Sequence, residues 1–152
     1  MLNHPLWKNK GLNAGSNPRK RLQQFLDFLT VFDFEFPFWE LPASIINLYF
    51  EQQFKRAKIN SKFILNNFLI NCVSRFIFWK GNQQNNLVLT SKSEKLLQLI
   101  PKESNRITRK WENLNVYFKN AFDTQALIEI YEQLCTRKAC LDCEIGKKIL
   151  GK

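Results

Sequence analysis

Large apolar residues recur at three- and four-residue intervals along most of this chain, and that spacing restricts it to helices packed along apolar stripes. Leu22, Phe25, Leu26, Leu29 and Phe32 make the first stripe, with Pro18 near the helix start, where its missing N–H costs nothing. The alternating run Phe34-Glu35-Phe36-Pro37-Phe38-Trp39 could pass for a strand but has no second strand to pair with. It reads as an extended connector pressing rings into the core. A second helix is expected from Pro42 to about Lys55. A third, from Ser61 to Lys80, is apolar nearly all round and therefore reads as a central buried helix, with Cys72 as a small core residue. Its polar exceptions Asn67, Asn71 and Arg75 stand four residues apart and form one stripe, best suited to satisfying backbone groups at a helix crossing.

The stops and starts are read from caps. Gly81 is the expected C-terminal cap of the third helix, and Asn82–Asn86 the expected loop. Ser91 with Glu94 forms a capping-box pattern opening a helix that Pro101 ends. Another helix spans Ser104 to Leu114. Asp123 or Thr124 caps a final long helix with Ala126, Leu127, Ile130, Tyr131 and Leu134 facing inward, closed by Cys135. The expected fold is all-α, a single domain over residues 1–152 with five to seven helices. It has a flexible opening (1–17), a cysteine-rich C-terminal knuckle and a basic tail (144–152).

Charge narrows the partners. The 23 Lys and Arg exceed the 13 Asp and Glu by ten, a field that attracts nucleic acid, acidic proteins or anionic surfaces. The cations fall in clusters: Arg19, Lys20 and Arg21 at the first helix start; Lys55, Arg56 and Lys58 after the second; Arg106, Arg109 and Lys110 on a short helix. Phosphate binding would use them through counterion release, without reading bases, while each cluster alone is also an ordinary solvated helix surface. Trp7, Trp39, Trp79 and Trp111 could stack on bases, but in a chain this apolar they read first as core. The apolar window Phe63–Trp79 carries three asparagines and an arginine, so a membrane span is excluded. No signal-peptide pattern is visible at the N-terminus, and the cysteine usage points to a reducing cytoplasm.

The sharpest chemical motif is Cys135-Thr-Arg-Lys-Ala-Cys140-Leu-Asp-Cys143. A Cys-x-x-Cys knuckle plus a cysteine from the preceding helix end is a partial ligand set for zinc or an iron–sulfur cluster, each of which takes four ligands. Cys72 is the candidate fourth, and His4 a remote one. Arg137 and Lys138 are expected to lower the thiol pKa values. The bland alternatives are thiols that pack a terminal hairpin, or a redox-labile pair. No catalytic constellation accompanies them: His4 is the sole histidine, there is no glycine-rich phosphate loop, and Asp27, Asp33 and Glu35 read as solvent-facing spacers.

Three stretches resemble the C-terminal part of a bacterial family, domain-of-unknown-function family 2851. They are Gly11–Leu22 with its Pro-x-x-Arg-Leu ending, Leu96–Asn105 with Trp111 downstream, and Ala121–Leu127 leading into the three cysteines and Ile145-Gly146. Asn13-Ala14 stands where the family has Arg-Pro. Full-length members carry an upstream region that looks like a PD-(D/E)XK nuclease core, and its acidic and Glu-x-His signatures do not occur here. The resemblance thus implies a split or truncated module without the catalytic half. Taken with the basic clusters, the expected function is a non-catalytic helical accessory module that contacts nucleic acid through those clusters, beside a nuclease-like partner. A protein-interaction domain with a basic docking face, and a metal or iron–sulfur redox module, are the alternatives.

Overall fold

A computed structural model describes residues 17–149 and 151. The opening expected to be flexible lies, up to residue 16 and with Trp7 and His4, outside the described residues, as do Leu150 and Lys152 of the tail. The protein is all-α: among the described residues there is no strand, only an isolated antiparallel bridge between Pro101 and Asn120. None of the described helices is long and apolar enough to cross a membrane. The chain divides into two compact units between Leu65 and Asn66.

In the first unit, α1 (Pro18–Val31) starts as expected at its proline, and the Asn17 side chain accepts the Arg19 N–H at 2.9 Å. A connector with one 3-10 turn (Phe38–Glu40) leads to α2 (Ala43–Arg56). Aromatic rings hold the two helices together: Phe28 on Phe54 at 5.1 Å, Phe32 on Phe50 at 5.8 Å, and Phe38 edge-on to Phe50 at 5.1 Å. Each such pair adds about 0.5–1.5 kcal/mol beyond the burial of its area. The connector does press rings inward, since Phe38 is buried and Phe36 stacks on Tyr49 at 4.9 Å, although Phe34 stays exposed.

In the second unit α3 (Lys62–Phe68), whose first residues belong to the first unit, is followed without a break by a π turn (Leu69–Ser74) and α4 (Arg75–Gln83). α5 (Leu87–Leu99) folds back on α4, and Gly81 is inside α4 rather than at its cap. A Cβ on Gly81 would sit 2.9 Å from the Thr90 backbone nitrogen, so glycine is what permits the two helices to approach so closely. α5 begins four residues before the expected Ser91, because Asn86 accepts both the Val88 and Leu89 N–H groups at 3.0 and 3.2 Å. The buried Ser93 hydroxyl donates to the Ser74 carbonyl at 2.9 Å, at the end of the π turn. A side chain that occupies a backbone carbonyl in this way is a recognised cause of such irregularities. α6 (Arg106–Asn113) is capped by Asn105 in a reciprocal box with Thr108. α7 (Ala121–Ile130) is capped by Asn120 and not by Asp123 or Thr124. Thr124 is fully buried instead, and Ala126 is exposed while Ala121 and Leu127 are buried. A π turn (Tyr131–Cys135) and α8 (Glu144–Ile149) complete the unit. Trp111, Phe118 and Leu127 form its α6/α7 cluster, where the Trp111 indole N–H donates to the Leu127 carbonyl at 3.1 Å.

Four helix ends share one device. After α2, α4, α6 and the π turn of α7, a non-glycine residue adopts the left-handed conformation: Lys58 (φ 57°), Asn85 (49°), Asn115 (57°) and Lys138 (56°). Each is followed by an N–H that reaches back five residues: Ile59 to Phe54 at 2.8 Å, Asn86 to Gly81 at 2.8 Å, Val116 to Trp111 at 3.1 Å and Ala139 to Leu134 at 3.0 Å. These are Schellman caps without glycine.

The long third helix differs most from expectation. Its buried side is Leu65, Leu69, Ile70, Val73, Ser74 and Ile77, whereas Phe63, Phe78 and Trp79 are exposed, as are Asn71, Cys72 and Arg75. It is amphipathic by position although its composition is apolar on both sides. The expected buried stripe of Asn67, Asn71 and Arg75 is overturned. Asn71 bonds back to the Asn67 carbonyl at 3.0 Å and faces outward.

Candidate functional site

The ring contacts fix the direction of the first hairpin. Moving up α1 from Phe28 to Phe32 moves the partner down α2 from Phe54 to Phe50, so the helices run antiparallel. The first turn of α1 and the last turn of α2 therefore share one end. Arg19, Lys20, Lys55, Arg56, Lys58 and Lys62 are exposed there and Arg21 is half-buried. At a rise of about 1.5 Å per residue, α1 overhangs the last turn of α2 by roughly 10 Å, over the turn that carries Lys58. Asp33, Glu35 and Glu40 are exposed in the connector at the opposite end. Among the described residues of the first unit, all seven Lys and Arg lie towards one end and three of five carboxylates at the other, so this part of the unit is polarised although its charges sum to only +2.

Two carboxylates lie outside the acidic connector: Asp27, next to Phe28 and so level with Phe54, and Glu51, beside the cationic turn. Glu51 pairs with Lys55 at 3.1 Å, and that hydrogen bond, with the charges of Lys55 and Lys62, holds its carboxyl below the usual range. Beside it is a cavity of about 150 Å³ whose walls include Glu51, Lys55, Lys62 and Phe54.

The third basic cluster belongs to the second unit and is partly committed inside it. The Lys110 ammonium donates to the Tyr131 hydroxyl at 2.5 Å and sits 4.6 Å from that ring's centroid. The Arg109 Nε–H returns to the Asn105 carbonyl at 3.3 Å, and Arg106 is exposed.

Cys135, Cys140 and Cys143 do come together. All three line an apolar cavity of about 190 Å³ with Trp111, Leu114, Leu134 and Ile145. Cys143 is buried, and its carbonyl accepts the Lys147 N–H at 2.8 Å, which ties the start of α8 to the knuckle. Gly146 seals this contact, since a Cβ there would lie 2.2 Å from the Cys140 carbonyl oxygen. Burial, followed by the neighbouring Cys143 and Cys140, pushes the Cys135 thiol above its ordinary pKa; Lys110 opposes the shift. At Cys135 the direction is therefore opposite to the lowering expected from Arg137 and Lys138. Cys72 does not line this cavity and is exposed rather than packed in the core. Partial desolvation raises its thiol pKa against the pull of Arg75. Among the described residues no group of three or more His, Cys, Asp or Glu side chains is placed so as to hold a metal ion. The knuckle therefore does not present the four-donor set of a zinc or iron–sulfur site, and His4 lies outside the described residues.

Two features escaped the residue-by-residue reading. Lys62 joins the cationic end, and four aromatic side chains of the long helix, Phe63, Phe76, Phe78 and Trp79, face outward. A signal for both was present: no Asp or Glu occurs between Glu51 and Glu94, a stretch with seven Lys and Arg. No protein-family model, curated protein or solved structure matches this chain.

Proposed function

We propose that the chain is a non-catalytic nucleic-acid-binding module that contacts phosphates through the cationic end of its first unit. The observation carrying this reading is the antiparallel register of α1 and α2, which gathers Arg19, Lys20, Arg21, Lys55, Arg56 and Lys58 at one end, with Lys62, and leaves the acidic connector at the other. A polarised unit of this kind orients itself in the field of a polyanion before contact. In keeping with the resemblance to family 2851, the proposed setting is beside a nuclease-like partner.

The test is binding of labelled oligonucleotides over a salt series. Neutralising about six duplex phosphates gives a slope of log affinity against log salt near −5, and a loss of about 10³-fold between 50 and 200 mM. Reversing Arg19, Lys20 and Arg21 to Glu should reduce the slope by about three. Absence of salt-dependent binding to DNA and RNA sinks the proposal. Retention of one acidic protein from solution, unaffected by nuclease treatment, would favour a protein-docking face instead.

As a second proposal, the three thiols that line one cavity would become a metal site if they closed on one ion together with a fourth donor, a rearrangement the described geometry has not made. Metal analysis and the visible spectrum of anaerobically purified protein decide it. About one zinc, or a brown iron–sulfur chromophore, lost in Cys140→Ser supports the site. A colourless, metal-free, folded protein removes it.

A further inference from the structure

The outward stripe of the π turn and α4 consists of Asn71, Cys72, Arg75, Phe76, Phe78, Trp79, Asn82 and Gln83, every one of them exposed. Its spacing is that of a single helix face. The opposite face, with Val73, Ser74, Ile77 and Gly81, is buried, and α4 packs chiefly on α5. Trp79 is 56% exposed, Phe78 46% and Phe76 36%. Rings left this exposed forgo part of the apolar burial open to them.

The chemistry of the stripe favours one kind of occupant. Phe76 and Trp79 lie side by side with ring centroids 5.9 Å apart and planes tilted by 39°, one turn of helix apart. Arg75 adjoins them, and the neighbouring polar groups are amides. No carboxylate occurs on the stripe, nor anywhere from residue 52 to residue 93. A strictly apolar protein surface would leave Arg75 and the amides unmatched, and an acidic one would match Arg75 but leave the rings without a stacking partner. Unpaired bases match all of them: a π face for each ring, phosphate for the guanidinium, and base edges for the amides. Duplex DNA offers no exposed base faces.

We infer that Arg75, Phe76, Phe78 and Trp79 form a base-stacking platform for single-stranded nucleic acid. The platform belongs to the second unit and shares no residue with the cationic end of the first, so each can fail without the other.

The experiment compares the full chain with Trp79→Ala and Trp79→Phe, using labelled oligo(dT) and a duplex of similar charge. Trp79→Ala should weaken oligo(dT) binding about tenfold or more, while duplex affinity and the salt slope stay unchanged. Trp79→Phe, which keeps a stacking face, should recover most of the loss. Single-strand affinity unchanged in Trp79→Ala overturns the inference, as does an equal loss for both oligonucleotides. A wild-type dimer in solution that Trp79→Ala converts to monomer also overturns it, by making the stripe a protein interface. If the Arg19, Lys20 and Arg21 reversal abolishes duplex binding but Trp79→Ala leaves oligo(dT) binding intact, the stacking platform is wrong and the phosphate site stands.

Discussion

Replacing Lys58 by glycine should stabilise the protein. Lys58 holds φ at 57° between the last turn of α2 and Ile59, whose N–H closes onto the Phe54 carbonyl at 2.8 Å. A side chain with a Cβ pays about 1–2 kcal/mol for that conformation, and glycine avoids the cost. Glycine also enlarges the conformational freedom of the unfolded chain, which returns roughly 0.5–1 kcal/mol. The balance is a gain of about 0.5–1 kcal/mol, or about 0.5 M in a urea midpoint for a typical slope. Lysine also carries charge into a crowded cationic end, so Lys58→Ala is the control: it removes the charge and keeps the strain. Chemical denaturation should rank glycine above asparagine, with alanine close to lysine. Lys138, at φ 56° after the π turn of α7, should repeat the order in the second unit. Glycine no more stable than alanine at both positions would refute the claim that these caps store backbone strain.

Ser93→Ala should cost about 1–3 kcal/mol in urea denaturation, because the Ser74 carbonyl loses its buried donor. Gly81→Ala should also destabilise, since the backbone of Thr90 leaves its Cβ no room. Gly146→Ala should unseat α8 from the knuckle, read as faster labelling of the buried Cys143 and faster amide exchange over 144–149. Stability should fall in alkali. Cys72, Cys135 and Tyr49 all have folded-state pKa values raised first by burial, so the folded state holds their protons more tightly than the unfolded chain. Their contribution is complete below the ordinary cysteine range. It is lost as the pH rises through the raised cysteine and then tyrosine values, which a denaturation series from neutral pH upward will show.

Much of the fold was legible from spacing, because burying an apolar stripe at three- and four-residue intervals leaves little choice but a helix. α1 begins at its proline, α2 lies within a residue of its expected bounds, and Cys135 ends the last long helix. The misplaced boundaries have a common physical cause. The sequence suggests stops at glycine and starts at serine, aspartate or threonine, yet here asparagine does both: Asn86, Asn105 and Asn120 cap starts, while Asn85 and Asn115 take the left-handed position at ends. Gly81, the apparent stop, is spent on letting two helices approach.

The site was less legible, because composition cannot say which apolar face of a helix is covered. From Ser61 to Lys80 both faces are rich in Phe, Leu, Ile and Trp, and only partners elsewhere in the chain decide that Leu69, Val73 and Ile77 face inward and Phe78 and Trp79 outward. The basic clusters pose the same problem in another form. Arg19–Arg21 and Lys55–Lys58 are more than thirty residues apart, and their meeting depends on the antiparallel direction that Phe28, Phe32, Phe50 and Phe54 enforce. What sequence does carry is the 42-residue absence of carboxylates between Glu51 and Glu94, a pattern no helical packing rule requires. It spans the end of α2, the cationic turn and the outward aromatic stripe. One like charge in contact offsets one cation, so a stretch that gathers lysine and arginine without carboxylates favours polyanions; Glu51, at its edge, offsets only the Lys55 it pairs with.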